Sequence, residues 1–162
     1  MKILIVSDTH RKDDNLKWVL KEEAPIDMLI HLGDAEGSEA EIPKWVNEGC
    51  DIVMVRGNND FFSSLDREIE LDLGPHRIFL THGHYYNVSL GVETLEQEAL
   101  DRGCDIAMYG HTHRPYLEIG DQVTILNPGS LSYPRQDGRR PSYMIMDIDE
   151  ETGLADYTIC YL

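Results

Sequence analysis

The chain begins Met1-Lys2-Ile3-Leu4-Ile5-Val6-Ser7-Asp8-Thr9-His10, and this stretch decides the fold. The apolar run Ile3–Val6 has the length of a buried β-strand. The sequence turns polar directly after it, and Asp8 and His10 follow with a single residue between them. Ligand sites in α/β proteins lie at the carboxyl ends of strands. The stretch therefore predicts the first strand of a sheet, with two chemically active side chains at its carboxyl end.

The same pattern recurs along the first two-thirds of the chain. Further apolar runs occur at Met28–Leu32, Ile52–Val55, Ile78–Leu80 and Ile106–Met108. Between several of them lie stretches that we predict to be helical, at Asp14–Glu23, Ser38–Glu48 and Gly91–Arg102. Short strands that alternate with helices of about ten residues are typical of α/β units.

Hairpin patterns fill the remainder of the chain. The three predicted pairs are Glu68–Leu73 with Arg77–Leu80, Tyr116–Ile119 with Val123–Leu126, and Tyr143–Ile148 with Ala155–Tyr161. They predict a second, mainly antiparallel sheet, packed face to face on the first with helices outside. No repeat or linker-like segment interrupts the sequence, so we expect one domain over residues 1–162.

The charge balance is strongly acidic. The chain has 14 basic and 30 acidic residues and a formal net charge of −16 at pH 7. This field repels nucleic acid phosphates, and no basic run reverses it locally. We therefore expect no binding to a nucleic-acid duplex. An anionic substrate needs some local positive charge to overcome the overall sign.

Targeting signals and disulfide patterns are absent from the sequence. No apolar run approaches the ~18 residues that a membrane span requires, and the first run is too short for the core of a signal peptide. The cysteines Cys50, Cys104 and Cys160 are widely spaced and are interpreted as buried free thiols in a reducing compartment. These features predict a cytoplasmic protein with no membrane partner.

Each of the five apolar runs is followed within a few residues by a candidate metal ligand. In chain order the ligands are Asp8, His10, Asp34, Asn58, His82, His111 and His113. Glycines 33, 57 and 110 directly precede ligands and permit tight turns and a close approach of the backbone to bound ions. Because loops at the carboxyl ends of neighbouring strands converge, we expect these side chains to lie together.

The chemistry of this set is consistent with transition metals. Four imidazoles, two carboxylates and one amide oxygen form a mixed N/O set that suits divalent first-row metals rather than Mg or Ca. The set exceeds the needs of one ion and matches two ions that share a carboxylate. Each short motif alone is common in turns that bind nothing, but their occurrence together at strand ends favours a metal site.

The sequence resembles the calcineurin-like metallophosphoesterases. The motifs that carry the resemblance are Asp8-x-His10, Gly33-Asp34, Gly57-Asn58-Asn59-Asp60, His82 and Gly110-His111-Thr112-His113. The small size, His82-Gly83-His84 and Asn127-Pro128-Gly129-Ser130 resemble its compact prokaryotic phosphodiesterase branch. The resemblance implies an α/β fold, a four-layer αββα sandwich of two packed mixed β-sheets flanked by helices. It also implies metal-dependent hydrolysis of small phosphodiesters.

The resemblance further implies a role for each ligand. Asp8, His10 and His113 would hold one metal ion, Asn58, His82 and His111 a second, and Asp34 would bridge both. A bridging hydroxide would be the nucleophile, since a metal lowers the pKa of bound water to about 7. The implied cofactors are two divalent transition-metal ions, Mn first, with Ni, Fe, Co or Zn as alternatives.

The third motif departs from the pattern of the family. Asn59 stands where the family usually has His, and an amide cannot act as a general acid near neutral pH. The candidate catalytic side chains are Asn59, Asp60 and His84. Asn59 would contact phosphate or serve only as a turn residue, and His84 would act as the acid, contact substrate or support a ligand.

Two other functions compete with hydrolysis. A non-catalytic scaffold such as the retromer subunit has this fold and the Asn-Pro-Gly-Ser segment, but it has lost several ligand positions that this chain keeps. A metal-binding regulatory domain is the third hypothesis. The sequence does not determine the oligomeric state, but Phe61-Phe62 offers an apolar segment for an oligomer interface.

Overall fold

The computed structural model describes all residues from Met1 to Leu162 and contains two α-helices and ten β-strands. In chain order they are β1 (Lys2–Val6), α1 (Asp14–Glu23), β2 (Met28–His31), β3 (Asp51–Met54), β4 (Glu68–Leu73), β5 (His76–Thr81), α2 (Glu93–Asp101), β6 (Ile106–Met108), β7 (Pro115–Ile119), β8 (Thr124–Pro128), β9 (Ser142–Ile148) and β10 (Ala155–Tyr161). Short 3-10 turns occur at Ser38–Ala40, Ile42–Lys44 and His84–Tyr86. Neither α-helix combines the length and the apolar character needed to cross a membrane.

The strands form two five-stranded sheets. The first has the order β10-β9-β1-β2-β3, and the second has the order β4-β5-β6-β8-β7. In the first sheet β1, β2 and β3 are parallel, with Ile3 opposite Met28 and Met28 opposite Asp51. The hairpin of β9 and β10 attaches to the other side of β1 in antiparallel orientation.

The second sheet corrects one prediction. It is mixed rather than mainly antiparallel, because β5, β6 and β8 run parallel to one another while β4 and β7 flank them in antiparallel orientation. The reason is the crossover through α2, since a connection of that length returns the chain in the same direction. The last predicted hairpin also joins the first sheet and not the second.

Alternation along the strands builds three apolar layers. In β1, Ile3 and Ile5 belong to the cluster between the sheets, whereas Leu4 and Val6 belong to the cluster that contains Leu16, Val19 and Leu20 of α1. On the outer face of the second sheet, Phe79 and Ala107 share a cluster with Leu95 and Ala99 of α2. Successive strand side chains point to opposite faces, so this segregation confirms the four-layer αββα sandwich.

The predicted helix over Ser38–Glu48 is wrong. The segment forms only the turns Ser38–Ala40 and Ile42–Lys44, with no α-helix. Pro43 explains the difference, because it has no N–H to donate and its ring clashes with the preceding turn of an α-helix. Ile42 still reaches the core and is fully buried beside α1.

The remaining features at this level agree only in part with expectation. All three cysteines are free, but only Cys104 is buried, while Cys50 and Cys160 are half-buried. Phe61 and Phe62 are exposed, with 76% and 103% relative accessibility.

The parallel arrangement places the carboxyl ends of β1, β2 and β3 along one edge of the first sheet, and those of β5 and β6 along one edge of the second.

Candidate metal centre

All seven predicted ligands lie in one group at the edge where the strand ends meet. Their chain positions are residues 8, 10, 34, 58, 82, 111 and 113. The potential ligand atoms form two sets, and within each set they all lie within 4.8 Å of one another. One set comes from Asp8, His10 and His113, and the other from Asp8, Asp34 and His82. The strand ends of both sheets thus contribute to one centre.

Asp8, His10 and His113 form the first half of the centre. The Nε2 atom of His113 lies 3.2 Å from Oδ1 of Asp8 and 3.2 Å from Nε2 of His10. The distance from Nε2 of His10 to Oδ1 of Asp8 is 3.8 Å. Asp8 is fully buried and His113 is 4% exposed, so these atoms face one another inside the protein.

Asn58, His82 and His111 form the second half. Oδ1 of Asn58 lies 3.1 Å from Nε2 of His82 and 2.9 Å from Nδ1 of His111. Asp34 lies between the halves, with Oδ2 at 3.8 Å from Nε2 of His10 and 3.4 Å from Nε2 of His82. Oδ1 of Asp8 is 3.9 Å from Nε2 of His82, so both carboxylates face both halves.

Hydrogen bonds on the outer side of the ligand imidazoles determine which ring nitrogen carries the proton and which one faces the centre. Three ligand imidazoles use Nδ1 in outward hydrogen bonds, which identifies Nδ1 as the protonated nitrogen of the neutral ring. The acceptors are Oε1 of Glu36 for His10 (2.6 Å), the carbonyl of Leu32 for His82 (2.6 Å) and the carbonyl of Tyr133 for His113 (2.7 Å). When the rings are neutral, each Nε2 therefore points a lone pair toward carboxylate oxygens, which also only accept.

Lone pairs that face one another without a proton or a cation between them repel. Oδ1 of Asp8 shows the consequence, because it is buried and has no hydrogen-bond partner. A buried acceptor of this kind is costly unless a positive group compensates it. Imidazole nitrogens, carboxylate oxygens and an amide oxygen suit a divalent transition metal. The donor set of the protein therefore fits metal ions in both halves.

The pKa values describe the same electrostatic problem without metal. Burial opposes the charge of His82, but the carboxylates of Asp34 and Asp8 outweigh it and raise the pKa of His82 to about 9. Burial raises the pKa of Asp34, yet His82 and the N–H groups of Asn59 outweigh this and hold that pKa well below its ordinary value. Without metal, a proton on Nε2 of His82 therefore faces Oδ2 of Asp34 at pH 7. A bound metal ion would replace this proton and supply more positive charge than the proton does.

The backbone at the ligands is held in unusual conformations. Positive φ angles occur at Asp8 (54°), His10 (47°), Asp34 (58°), His111 (67°) and His113 (57°). The left-handed region costs free energy for residues other than Gly, and such residues concentrate at functional sites. Five of the seven ligands are held in this way, which aims their side chains at the centre.

All three glycines that precede ligands are required by close packing. A Cβ atom on Gly33, whose φ angle is 99°, would lie 2.7 Å from the backbone nitrogen of Gly57. A Cβ atom on Gly57 would lie 2.1 Å from Oδ1 of Asp34, and one on Gly110 would lie 2.0 Å from Oγ of Ser7. None of these distances is compatible with any side chain. These glycines therefore permit close contact between the loops that carry the ligands; the predicted close approach of the backbone to bound ions stays a prediction.

Asn59 and Asp60 lie beside the centre and support it. The backbone N–H of Asn59 donates to Oδ1 of Asp34 (2.8 Å), and its Nδ2 donates to Oδ2 (2.7 Å). Asp60 is buried and accepts from the backbone N–H groups of Asp34 (2.8 Å), Gly57 (2.7 Å) and Glu36 (2.6 Å). Asp60 thus joins the loops after β2 and β3, and both of its oxygens accept backbone N–H groups.

His84 borders the open side of the centre. Its ring centroid lies 5.5 Å from that of His82 and 6.0 Å from that of His111. Burial, followed by the nearby charges of His82 and His111, lowers the pKa of His84 to about 4. A neutral imidazole at pH 7 can contact substrate but is a poor proton donor.

The structure adds supporting residues that the sequence reasoning missed. Glu36 holds His10 and follows Asp34 by two residues, although nothing in that spacing marks it as a partner of an imidazole. Nδ2 of Asn127 donates to the carbonyl of Gly110 (2.8 Å), and Oγ of Ser130 donates to the carbonyl of Asp8 (2.8 Å). The segment Asn127–Ser130 therefore connects the ligand loop after β6 with the ligand loop after β1.

An αββα sandwich whose strand ends converge on a two-part N/O donor set is the arrangement expected of a calcineurin-like metallophosphoesterase. Comparison with known proteins agrees. Residues 1–151 match the model of the calcineurin-like phosphoesterase superfamily domain, and the chain belongs to that family.

Individual relatives refine this assignment. The chain is 32% identical over 152 residues to probable metallophosphoesterase YsnB of Bacillus subtilis, covering 93% of this chain and 86% of that protein. It is 32% identical over 173 residues to phosphodiesterase YfcE of Escherichia coli, covering 92% and 89%. A structure of Vps29 from Entamoeba histolytica complexed with Zn²⁺ superposes with a TM-score of 0.76 at 20% identity over 99% of both chains, which shows a shared fold.

Proposed function

We propose that this protein is a phosphodiesterase that hydrolyses small phosphodiesters at a centre of two divalent metal ions, with Mn as the first candidate. The observation that carries the proposal is the inward convergence of the Nε2 atoms of His10, His82 and His113 on the carboxylates of Asp8 and Asp34. The similarity to phosphodiesterase YfcE supports the substrate class.

The seven ligands divide into two sets in this proposal. Asp8, His10 and His113 hold one ion, and Asn58, His82 and His111 hold the other. Asp34 faces both sets and is assigned the bridge. Bound ions would lower the pKa of water to about 7, supply a nucleophile and offset charge on the phosphoryl oxygens.

The other side chains orient the centre. Asn59 holds both oxygens of Asp34 through two N–H groups, which fixes the plane of the bridging carboxylate. Asp60 sets the distance between the loops after β2 and β3 through backbone N–H groups. His84 lies on the open side, next to His111, where a substrate oxygen would approach. We therefore assign Asn59 and Asp60 to positioning, and His84 to substrate contact.

A protein-binding scaffold is the competing function. Its support is the shared fold with Vps29, and the zinc in that Vps29 structure means that metal binding alone does not separate the two functions. The full ligand set and its outer hydrogen bonds favour hydrolysis, because a scaffold has no need of acceptors that repel one another without metal. Turnover is therefore the decisive measurement.

The test uses bis(p-nitrophenyl) phosphate with Mn²⁺, with and without a chelator, for the unmodified protein and Asp34→Asn. We expect turnover that the chelator abolishes, and at least about a hundredfold lower kcat in Asp34→Asn, because a neutral amide cannot share negative charge between two cations. Bound metal should fall from about two ions per chain toward one. Asp121→Asn is the matched control, since Asp121 is exposed in the turn between β7 and β8.

Absence of turnover with every transition metal would favour the scaffold. Normal turnover and two bound metals in Asp34→Asn would show that the bridge is assigned to the wrong residue.

A further inference from the structure

A second feature adjoins the metal centre on the side of His10 and His113. It is a cleft of about 760 Å³ whose outer wall carries Arg114, Arg135 and Arg139, and we call it the arginine cleft. Its inner wall is formed by His10 and His113, so a ligand in the cleft lies directly beside the first half of the centre.

The arginine-bearing loop is attached to a ligand residue at two points. The backbone N–H of Arg135 donates to the carbonyl of His113 (2.9 Å), and Nδ1 of His113 donates to the carbonyl of Tyr133 (2.7 Å). The ring of Tyr133 also meets the ring of His10 edge to face, with centroids 5.5 Å apart. The loop therefore holds the backbone of Tyr133 and Arg135 at a defined place relative to the centre, and the exposed side chains of Arg114, Arg135 and Arg139 lie beside it.

The local charge of the arginine cleft is positive, in contrast to the negative net charge of the molecule. The chain as a whole carries −16, whereas the cleft carries three guanidinium groups and one carboxylate, that of Glu36. Glu36 is occupied by its hydrogen bond to His10. An anion repelled by the rest of the surface is attracted here, because field lines are focused in clefts lined by one sign of charge.

The three arginines also lack carboxylate partners in a chain that offers 30 acidic residues. The basic side chains that pair with acidic side chains lie elsewhere and are Lys2, Lys44, Arg77 and Arg102. No guanidinium of the cleft donates to any protein acceptor. Guanidinium forks match the oxygens of a phosphate in bidentate hydrogen bonds. Three such groups remain available to an external anion.

The opposite side of the centre is less suited to a phosphate. A second cleft there includes Arg56 and Arg67. Nη1 of Arg56 already donates to the carbonyl of Ser63 (3.4 Å), and the guanidinium of Arg67 lies over the ring of Tyr85 at 5.1 Å. The observations thus favour the arginine cleft as the anion site.

We infer that the arginine cleft binds a second phosphate group of the substrate, so that the protein prefers phosphodiesters that carry an additional phosphate. This inference rests on the proposed phosphodiesterase activity, which places the scissile diester at the adjacent metal centre. It goes beyond that activity, because neither the ligand set nor the fold requires a second anionic group.

A matched pair of chromogenic substrates tests the inference. The 5′-(p-nitrophenyl phosphate) ester of thymidine is compared with the same ester bearing a 3′-phosphate, using the Mn²⁺-loaded protein. We expect kcat/KM to be roughly tenfold higher or more for the ester with the 3′-phosphate, since one charge-assisted hydrogen bond is worth about that factor. Arg135→Ala and Arg139→Ala should each lower this preference through KM.

Arg140→Ala is the control, because the guanidinium of Arg140 donates to the carbonyls of Tyr161 and Leu162 rather than lining the cleft. It should preserve the preference. Equal kcat/KM for the two esters, or a preference that survives in both arginine variants, would overturn the inference.

A binding experiment separates this inference from the proposed activity. Thymidine 3′,5′-bisphosphate and thymidine 5′-monophosphate are titrated calorimetrically into the protein, with Mn²⁺ and with chelator. Tighter binding of the bisphosphate that Arg135→Ala removes supports the cleft even where neither ester is hydrolysed. Equal affinity for the two nucleotides contradicts it, whatever the outcome of the assays.

Discussion

At the scale of single residues, the outward hydrogen bonds of the ligands decide which nitrogen of each imidazole faces the centre. His10, His82 and His113 are useful to a cation because their Nδ1–H groups are engaged by Glu36, Leu32 and Tyr133. Two of these acceptors are backbone carbonyls, which no substitution removes. The third is a carboxylate at the end of a side chain that is itself 31% exposed. Glu36 is therefore the one of these three hydrogen-bond acceptors that a substitution can remove.

Glu36→Gln should weaken metal binding without unfolding the protein. An amide keeps the size of the side chain but removes the negative charge that makes the imidazole of His10 a stronger ligand. Loss of such a partner typically lowers metal affinity about 10–100-fold. Competition with a chromogenic chelator measures it, and only the ion assigned to Asp8, His10 and His113 should be affected.

Glu41→Gln provides a control, because Glu41 pairs with Lys44 on the surface. Unchanged affinity in Glu36→Gln would mean that the hydrogen bond to His10 has no influence on the ligand.

At the scale of elements, one short loop after β6 serves both halves of the centre. His111 reaches Asn58 at 2.9 Å, while His113 reaches Asp8 at 3.2 Å. The chain achieves this because both residues adopt positive φ, and because Asn127 at the end of β8 holds the carbonyl of Gly110. The loop is thus shaped by the neighbouring strand rather than by its own sequence.

Variants of this loop should empty different halves of the centre. We expect His113→Ala to deplete the ion beside His10 and Asp8, and His111→Ala to deplete the ion beside Asn58 and His82. Crystals of both variants grown with Mn²⁺ and measured at its absorption edge would locate the remaining ion. Loss of the same ion in both variants would contradict the division into two halves.

At the scale of the whole molecule, the centre joins two sheets that otherwise meet through apolar side chains. Asp8, His10, Asp34 and Asn58 come from the first sheet, and the three remaining ligands come from the second. Metal ions bound here would bridge the layers and replace repulsion between acceptors by attraction. Binding to the folded state alone stabilises a protein by mass action.

Metal addition should therefore raise the melting temperature. A free metal concentration about a hundredfold above Kd contributes roughly 2.7 kcal/mol. For a chain of this size that corresponds to roughly 5–10 °C. Differential scanning calorimetry of chelator-treated protein with added Mn²⁺ measures the shift, and Asp34→Asn should show a smaller one. An unchanged melting temperature at saturating metal would exclude a site that bridges the layers.

The sequence predicted most of the candidate centre because its signals are local. Each ligand lies within a few residues of the end of an apolar run, and residues at the carboxyl ends of parallel strands converge in any sheet of this kind. The helix predicted over Ser38–Glu48 is wrong for an equally local reason, since Pro43 lies in the middle of that range, where an α-helix does not accommodate it. The family resemblance supplied the pairing of ligands with particular ions, and that pairing is still a proposal.

What the sequence alone determined is which side chains lie at strand ends, because strand length and burial follow from short runs of apolar residues. What only the tertiary structure decided is how those side chains are held and what surrounds them. Glu36 supports His10 across 26 positions of the chain, and Ser130 supports Asp8 across 122. Arg114 and Arg139 share a cleft because the loop before β9 is fastened to His113. Such contacts depend on the packing of one layer against another, and no local pattern in the sequence records it.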